Sequence, residues 1–188
     1  DRELLRAIRE NMEPIAFNAE PGVSVEMNES HQWALRYRFD LIEVAISVIT
    51  AKVAKHLGVK EMVMQYMLAN PPSISPLMDL AKMQAKIDLM GEEEDENFKI
   101  YRMVRTGLLA YPADMDQAKG LISSTMFYGT FLKPDIVHVV SYSEAVKRAT
   151  SVEILESIRM VKKSMEIADK GLLENIHEDK GLKTVWSF

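Results

Sequence analysis

The 188-residue chain contains no cysteine. Disulfides, thiolate metal sites and a cysteine nucleophile are therefore excluded, and an intracellular, cytoplasmic setting is the expectation that fits. No apolar run approaches the roughly 18 residues that a membrane span requires, so no membrane partner is expected. Positive charge is in deficit: Lys and Arg number 23 against 28 Asp and Glu, for a formal net charge of −5. Nothing draws the whole chain to nucleic acid. Several chemical signatures are missing as well. No Gly-x-Gly-x-x-Gly follows a strand pattern, and no Gly-x4-Gly-Lys phosphate loop exists. Gly-x-Ser-x-Gly and His-Glu-x-x-His are absent too, which leaves nucleotide-binding, hydrolase-elbow and zinc-hydrolase readings without support. The start, Asp1-Arg2-Glu3, is charged, unlike a signal peptide, and lacks Met, so the chain is expected to begin inside a longer one.

What is present is globular. Hydrophobic residues make up 47% and charged residues 27%, enough for one domain with a real core. The 13 methionines read as flexible core filling rather than as a binding wall.

Periodicity divides the chain into an N-terminal helix and loop (1–22), a repeating strand–helix body (23–171) and a C-terminal tail (172–188), whose Trp186 and Phe188 are expected to dock. Residues 1–13 predict a short helix with Leu4, Leu5, Ile8 and Met12 on one face. Val23–Met27 alternates as a strand does. A long helical pattern follows, with Ile42, Ala45, Ile46, Ile49, Val53 and Leu57 on its predicted inner face. Gly58 supplies the left-handed residue that ends it. Met62–Leu68 is apolar except for Gln65, as in a strand covered on both faces. Asn70-Pro71-Pro72 forbids helix, and Ser75-Pro76 starts the next one. Its predicted inner face is Leu77, Leu80, Ala81, Gln84 and Ile87, with Gly91 at the end.

The acidic run Glu92–Glu96 reads as a solvated connection rather than a metal site. Phe98–Thr106 predicts a short helix ended by Gly107, and Leu108–Tyr111 a short strand. Asp114 or Asp116 caps a helix carrying Ala118, Leu121, Ile122 and Thr125 on one face. Ile136–Tyr142 is the clearest strand pattern. Thr150 and Glu153 form a capping box for a last helix, with Ile154, Ile158, Val161 and Met165 inside. About four strand–helix units imply an α/β fold with parallel strands. Two closures fit: part of a TIM-like (β/α)8 barrel, which when complete needs about 250 residues, or a small open doubly wound sheet.

In such folds ligands bind at the carboxyl ends of the strands. That rule selects Asn28, Glu29 and His31 after the first strand, and Gln65 with Asn70 at the second. It selects Tyr111 with Asp114 at the third, and Tyr142, Glu144 and Lys147 at the fourth. Such groups grip small polar substrates. Glu144, just past the best strand, is the favoured catalytic carboxylate. His138 joins it if its strand faces into a barrel, and otherwise is a hydrogen-bonded strand residue. No metal-ligand set is predicted.

Three stretches carry a resemblance. They are Asn28-Glu29-Ser30-His31-Gln32-Trp33-Ala34-Leu35-Arg36, and Met64-Gln65-Tyr66-Met67 with Asn70-Pro71-Pro72 and Asp79-Leu80-Ala81-Lys82-Met83. The third runs from Lys133-Pro134-Asp135 through His138 and Ser141-Tyr142-Ser143-Glu144-Ala145 to Ala149-Thr150. From about residue 23 to 170 the chain resembles the catalytic (β/α)8 subunit of cobalamin-dependent carbon-skeleton mutases, of the glutamate mutase (methylaspartate mutase) large-subunit type. The resemblance implies a barrel enclosing a radical reaction, in which an adenosyl radical from adenosylcobalamin takes hydrogen from a small amino-acid or carboxylic-acid substrate. Arg36 is a substrate-binding candidate by its position in the first stretch. The family's Asp-x-His-x-x-Gly signature is absent, so the cobalt-ligating histidine would come from a separate cobalamin-binding subunit or another region. Two other readings stay open. One is a lyase or aldolase barrel using Glu144 and Lys147 in acid–base or Schiff-base roles. The other is a non-catalytic half that supports a partner subunit or a homo-oligomer.

Overall fold

The computed structural model describes residues 24–27 and 40–170, together with Arg6. The rest of the predicted helix over 1–13 and the tail 172–188 lie outside the described residues. The elements run β1 (Ser24–Met27), α1 (Asp40–His56), β2 (Glu61–Leu68), α2 (Pro76–Gly91), β3 (Lys99–Thr106), α3 (Met115–Gly129), β4 (Ile136–Val137) and α4 (Ser151–Ala168). The four strands form one sheet in the order β1-β2-β3-β4, and every neighbouring pair is parallel.

Local chemistry sets the helix starts. The Ser75 hydroxyl accepts from the Met78 N–H, with Pro76 in the first turn. Asp114, and not Asp116, caps α3 by accepting from the amides of Asp116 and Gln117. Thr150 and Glu153 make the expected capping box on α4. Gly58, at φ +84°, takes the left-handed conformation after α1, where a Cβ would be penalised.

Sequential parallel order has a geometric consequence. Crossovers of one hand that always step the same way along a sheet leave their helices on the same face. Here α1 packs on α2, α2 on α3 and α3 on α4. One face of β2, made by Met62, Met64, Tyr66 and Leu68, is no more than 1% exposed. It belongs to one hydrophobic core with Ala51 and Ala54 of α1, Met83 and Met90 of α2, Ile122 and Met126 of α3, and Val161 of α4. Burying each large apolar side chain is worth about 1.5–3 kcal/mol. A doubly wound sheet needs helices on both faces, and the described helices occupy one.

Three predicted elements are corrected. Phe98–Thr106 is not a helix: Lys99–Thr106 is the strand β3, paired with β2 along its whole length. Leu108–Tyr111 is not a strand, because Leu108–Ala110 is a single 3-10 turn. Ile136–Tyr142 forms ladder only at Ile136–Val137, and the Val140 carbonyl is taken by the Tyr111 hydroxyl at 3.0 Å.

Helix faces are corrected too. In α1, Ala45 is exposed and Ile42 and Ile49 partly so, while Glu43, Ser47 and Thr50 are buried. In α2, Leu77, Ala81 and Gln84 are exposed, whereas Asp79, Lys82 and Lys86 are buried. In α4, Ile154 and Ile158 face outward and Ser157 and Ser164 inward. The reason in α1 and α2 is a buried charge network that draws polar groups inside.

Candidate functional site

Side chains alternate across a strand, so each strand serves two faces. Val104 packs in the helix-side core, and Thr106 Oγ1 meets Thr125 Oγ1 of α3 at 2.6 Å. Arg105, between them, therefore lies on the face away from the helices, with Met103. In the same register Gln65 pairs with Met103 and Met67 with Arg105. Met103 pairs with Ile136, and the His138 N–H donates to the Val104 carbonyl at 2.9 Å. One further step along that register brings His138 beside Arg105. The face turned away from the described helices thus carries Gln65 on β2, Arg105 on β3 and His138 one step past β4.

Beyond the strands the chain closes over the same end. Glu144 is exposed, and its Oε1 accepts from the Ser141 N–H at 2.8 Å. The buried Tyr111 donates its hydroxyl to Val140. Burial raises that hydroxyl above the usual phenol range, Thr106 and Arg105 oppose the rise, and Glu144 adds to it. Arg105, Tyr111 and Glu144 thus lie within electrostatic reach of one another. A guanidinium, an amide, an imidazole and a carboxylate at one end of a parallel sheet can hold a small zwitterion: the guanidinium grips carboxylate in a bidentate fork, and the carboxylate accepts from ammonium.

Gln65 keeps its place on the Arg105 face but is fully buried there. Other predicted residues are placed differently. Asn70 sits in the β2–α2 loop, 3% exposed, on a cis bond to Pro71. Tyr142 turns to the helix side: its hydroxyl donates to Glu156 Oε2 at 2.6 Å, and Lys119 Nζ lies 4.8 Å from its ring centroid. The Glu156 hydrogen bond is the main reason its hydroxyl is pushed up to about 12. Lys147 pairs with Glu153 at 2.6 Å, and that contact chiefly holds the Glu153 carboxyl down at about 2. The exposed Asp114 caps α3. Asn28, Glu29, His31 and Arg36 lie outside the described residues.

Behind the β2–α2 loop lies the buried charge network. Lys82 Nζ stands 3.1 Å from Glu43 Oε2, 3.7 Å from Asp40 Oδ1 and 3.8 Å from Asp79 Oδ1. It also donates to the Asn70 carbonyl. Lys86 Nζ is 3.5 Å from Glu43 Oε1 and 5.3 Å from the Tyr66 ring centroid. Asp79 Oδ2 accepts from the Ala69 N–H and from the Tyr128 hydroxyl.

Burial raises the Asp79 pKa from 3.8 to about 6, against the Ala69, Lys82 and Tyr128 interactions that lower it, while Glu43 adds to the rise. The folded state therefore binds this proton more tightly than the unfolded chain does. The stability that follows is full below about pH 4 and is lost as pH rises through about 6. Full ionisation of Asp79 corresponds to about 3 kcal/mol. Urea melts from pH 4 to 7 are expected to show wild type losing stability relative to Asp79→Asn as pH rises. Parallel profiles would refute the assignment.

An open cleft of about 700 Å³, lined by Lys60, Glu61, Glu94–Lys99, opens at the amino ends of the strands. In barrel-type α/β folds that end serves stability rather than chemistry. There the acidic run is tied to α1 by Lys52–Glu93 at 3.2 Å and Lys55–Asp95 at 2.7 Å. Among the described residues no group of three or more His, Asp or Glu could hold a metal ion, and no helix is long and apolar enough to cross a membrane.

No protein-family model matches the chain, and no curated protein matches it. Arg105 is the site residue that sequence reasoning missed. The signal was the alternation of Tyr101, Met103 and Arg105 against Ile100, Val104 and Thr106, hidden by reading the segment as helix. Asp79 and Lys82 were visible as a motif without a role.

Proposed function

We propose that the chain is the substrate-gripping portion of a TIM-like (β/α) barrel in a cytoplasmic, cobalamin-dependent mutase-like enzyme, which rearranges the carbon skeleton of a small amino-acid or carboxylic-acid substrate. One observation carries this reading. Four parallel strands in sequential order, with the described helices in a single layer, leave a face turned away from those helices that bears Gln65, Arg105 and, one step past β4, His138. In a barrel that face is the interior and its carboxyl end is where substrates bind. Arg105 then pairs with a substrate carboxylate, Glu144 accepts from its ammonium, and Gln65 and His138 complete the hydrogen bonding.

Adenosylcobalamin enters by resemblance only. His56 ends α1 and His138 lies on the sheet face, and neither stands in an Asp-x-His-x-x-Gly sequence. The cobalt ligand would therefore come from a separate cobalamin-binding subunit or from another region.

The test combines the chain with adenosylcobalamin and such a subunit and follows a ¹³C-labelled dicarboxylic amino acid by NMR. Rearranged product is expected, with loss of at least about 100-fold in kcat/KM for Arg105→Met, as for a lost charged substrate contact. Glu144→Gln keeps the acceptor for Ser141 and is expected to lose turnover without loss of thermal stability. A chain that neither changes the cobalamin absorption spectrum nor associates with the subunit overturns the reading.

A further inference from the structure

We infer that Asp79 and Lys82 are positioning residues: reaching from the helix layer, they hold the backbone of Ala69 and Asn70 and so shape the rim of the site after β2. The inference about the loop stands on contacts alone, and its consequence for a ligand rests on the function proposed above.

Three successive residues of the loop are held by their backbone groups. The Gly107 N–H donates to the Leu68 carbonyl at 2.7 Å. Asp79 takes the Ala69 N–H, and Lys82 takes the Asn70 carbonyl. Ala69 needs the help. It is not glycine, yet it sits at φ +55°, a conformation in which a Cβ crowds the following carbonyl. A side-chain acceptor aimed at its N–H favours that conformation over the alternatives.

The rest of the network explains why the two charges can serve there. Buried carboxylates and ammoniums are costly, and apolar residues of similar volume often pack as well. Asp79 and Lys82 are 0% and 1% exposed at their side chains. Glu43 and Asp40 on α1 face Lys82, and Tyr128 on α3 holds Asp79 from the far side. The neighbouring helices, α1 with two carboxylates and α3 with the Tyr128 hydroxyl, which also meets the Ala69 amide, thus support two side chains whose other bonds go to the loop. Gly107 seals the arrangement. A Cβ on it would stand 3.1 Å from the Leu68 carbonyl and 3.3 Å from that of Ala69, so the 3-10 turn after β3 lies directly against the held segment.

The experiment is native-state amide hydrogen exchange by NMR on the full chain, with calorimetric titration of L-glutamate alongside. The Val104 amide, in the centre of β3, reports global opening. In Asp79→Ala, and more weakly in Asp79→Asn, the Ala69 amide is expected to speed up at least tenfold beyond any change at Val104. Asp40→Asn, which removes a partner of Lys82 at 3.7 Å but no contact to Ala69, leaves Ala69 near wild type. Lys82→Met is expected to weaken L-glutamate binding at least tenfold, and Lys82→Arg to restore most of it. Equal acceleration at Ala69 and Val104 overturns the inference, since a merely structural role gives that result. So does a loosened loop with unchanged affinity. If the wild-type chain binds no L-glutamate, the proposed function falls, and the exchange data alone decide whether these two side chains hold the loop.

Discussion

Glu43→Ala is expected to destabilise the protein by about 3–5 kcal/mol, the cost of leaving buried charge without its partner. Glu43 is 7% exposed and serves two lysines at once, Lys82 through Oε2 at 3.1 Å and Lys86 through Oε1 at 3.5 Å. Removing the carboxylate takes away the anion that the two ammoniums share. Lys86 keeps the Tyr66 ring, and Lys82 keeps the Asn70 carbonyl and the more distant Asp79 and Asp40. For Lys82 those carboxylates stand farther off than Glu43 does. Converting the ionic core to a neutral one, with Glu43→Leu, Asp79→Asn, Lys82→Met and Lys86→Met combined, is expected to recover more than half of the loss, because these four buried charges are then all removed. Guanidinium denaturation reads both. A loss below about 1 kcal/mol for Glu43→Ala would mean that water reaches the lysines.

Leu68→Ala is expected to cost about 2–5 kcal/mol, the range for emptying a buried leucine site that cannot fully collapse. Leu68 is fully buried at the end of β2, and its contact with α3 is unusually close. A Cβ on Gly129 would lie 2.6 Å from Leu68 Cδ1. Gly129→Ala alone is therefore expected to destabilise through overpacking, at about 1–3 kcal/mol, offset by the roughly 1 kcal/mol that alanine gains over glycine inside a helix. The two changes compensate: in the double variant the new methyl group enters the space that the leucine vacates. A double-mutant cycle is expected to give a favourable coupling of at least about 1 kcal/mol. Additivity would show that Leu68 moves aside without cost.

Local signals were legible and distant ones were not. Ser75, Asp114 and Thr150 cap their helices through partners two or three residues away, and such short-range bonds can be read from a window of four residues. The β2 strand was legible because an almost unbroken apolar run has few other homes in a parallel sheet. Its neighbour β3 was not. Ile100, Met103 and Val104 fit a helical period as well as a strand over so short a stretch, and pairing with β2 along eight residues decided between them. That error hid Arg105, since only a strand sends Arg105 and Val104 to opposite faces. The strand ahead of Glu144 was legible at its start, where Ile136 and Val137 pair with β3, and not beyond it.

The alternation of strand and helix, the helix starts and the parallel sheet could all be argued from residue order, because periodicity and caps are written within a few neighbouring positions. The inward side of α3, with Ala118, Ile122 and Thr125, could be argued so too, but those of α1 and α2 could not. Leu77 is 76% exposed while Lys86, nine residues on in the same helix, is completely buried. An apolar pattern says what water would reject, but a buried ion pair is decided by a complementary charge on another element, and Glu43 belongs to a different helix. The tertiary structure alone brings those charges together, aims two of them at the loop after β2, and gathers Gln65, Arg105 and His138 onto one face.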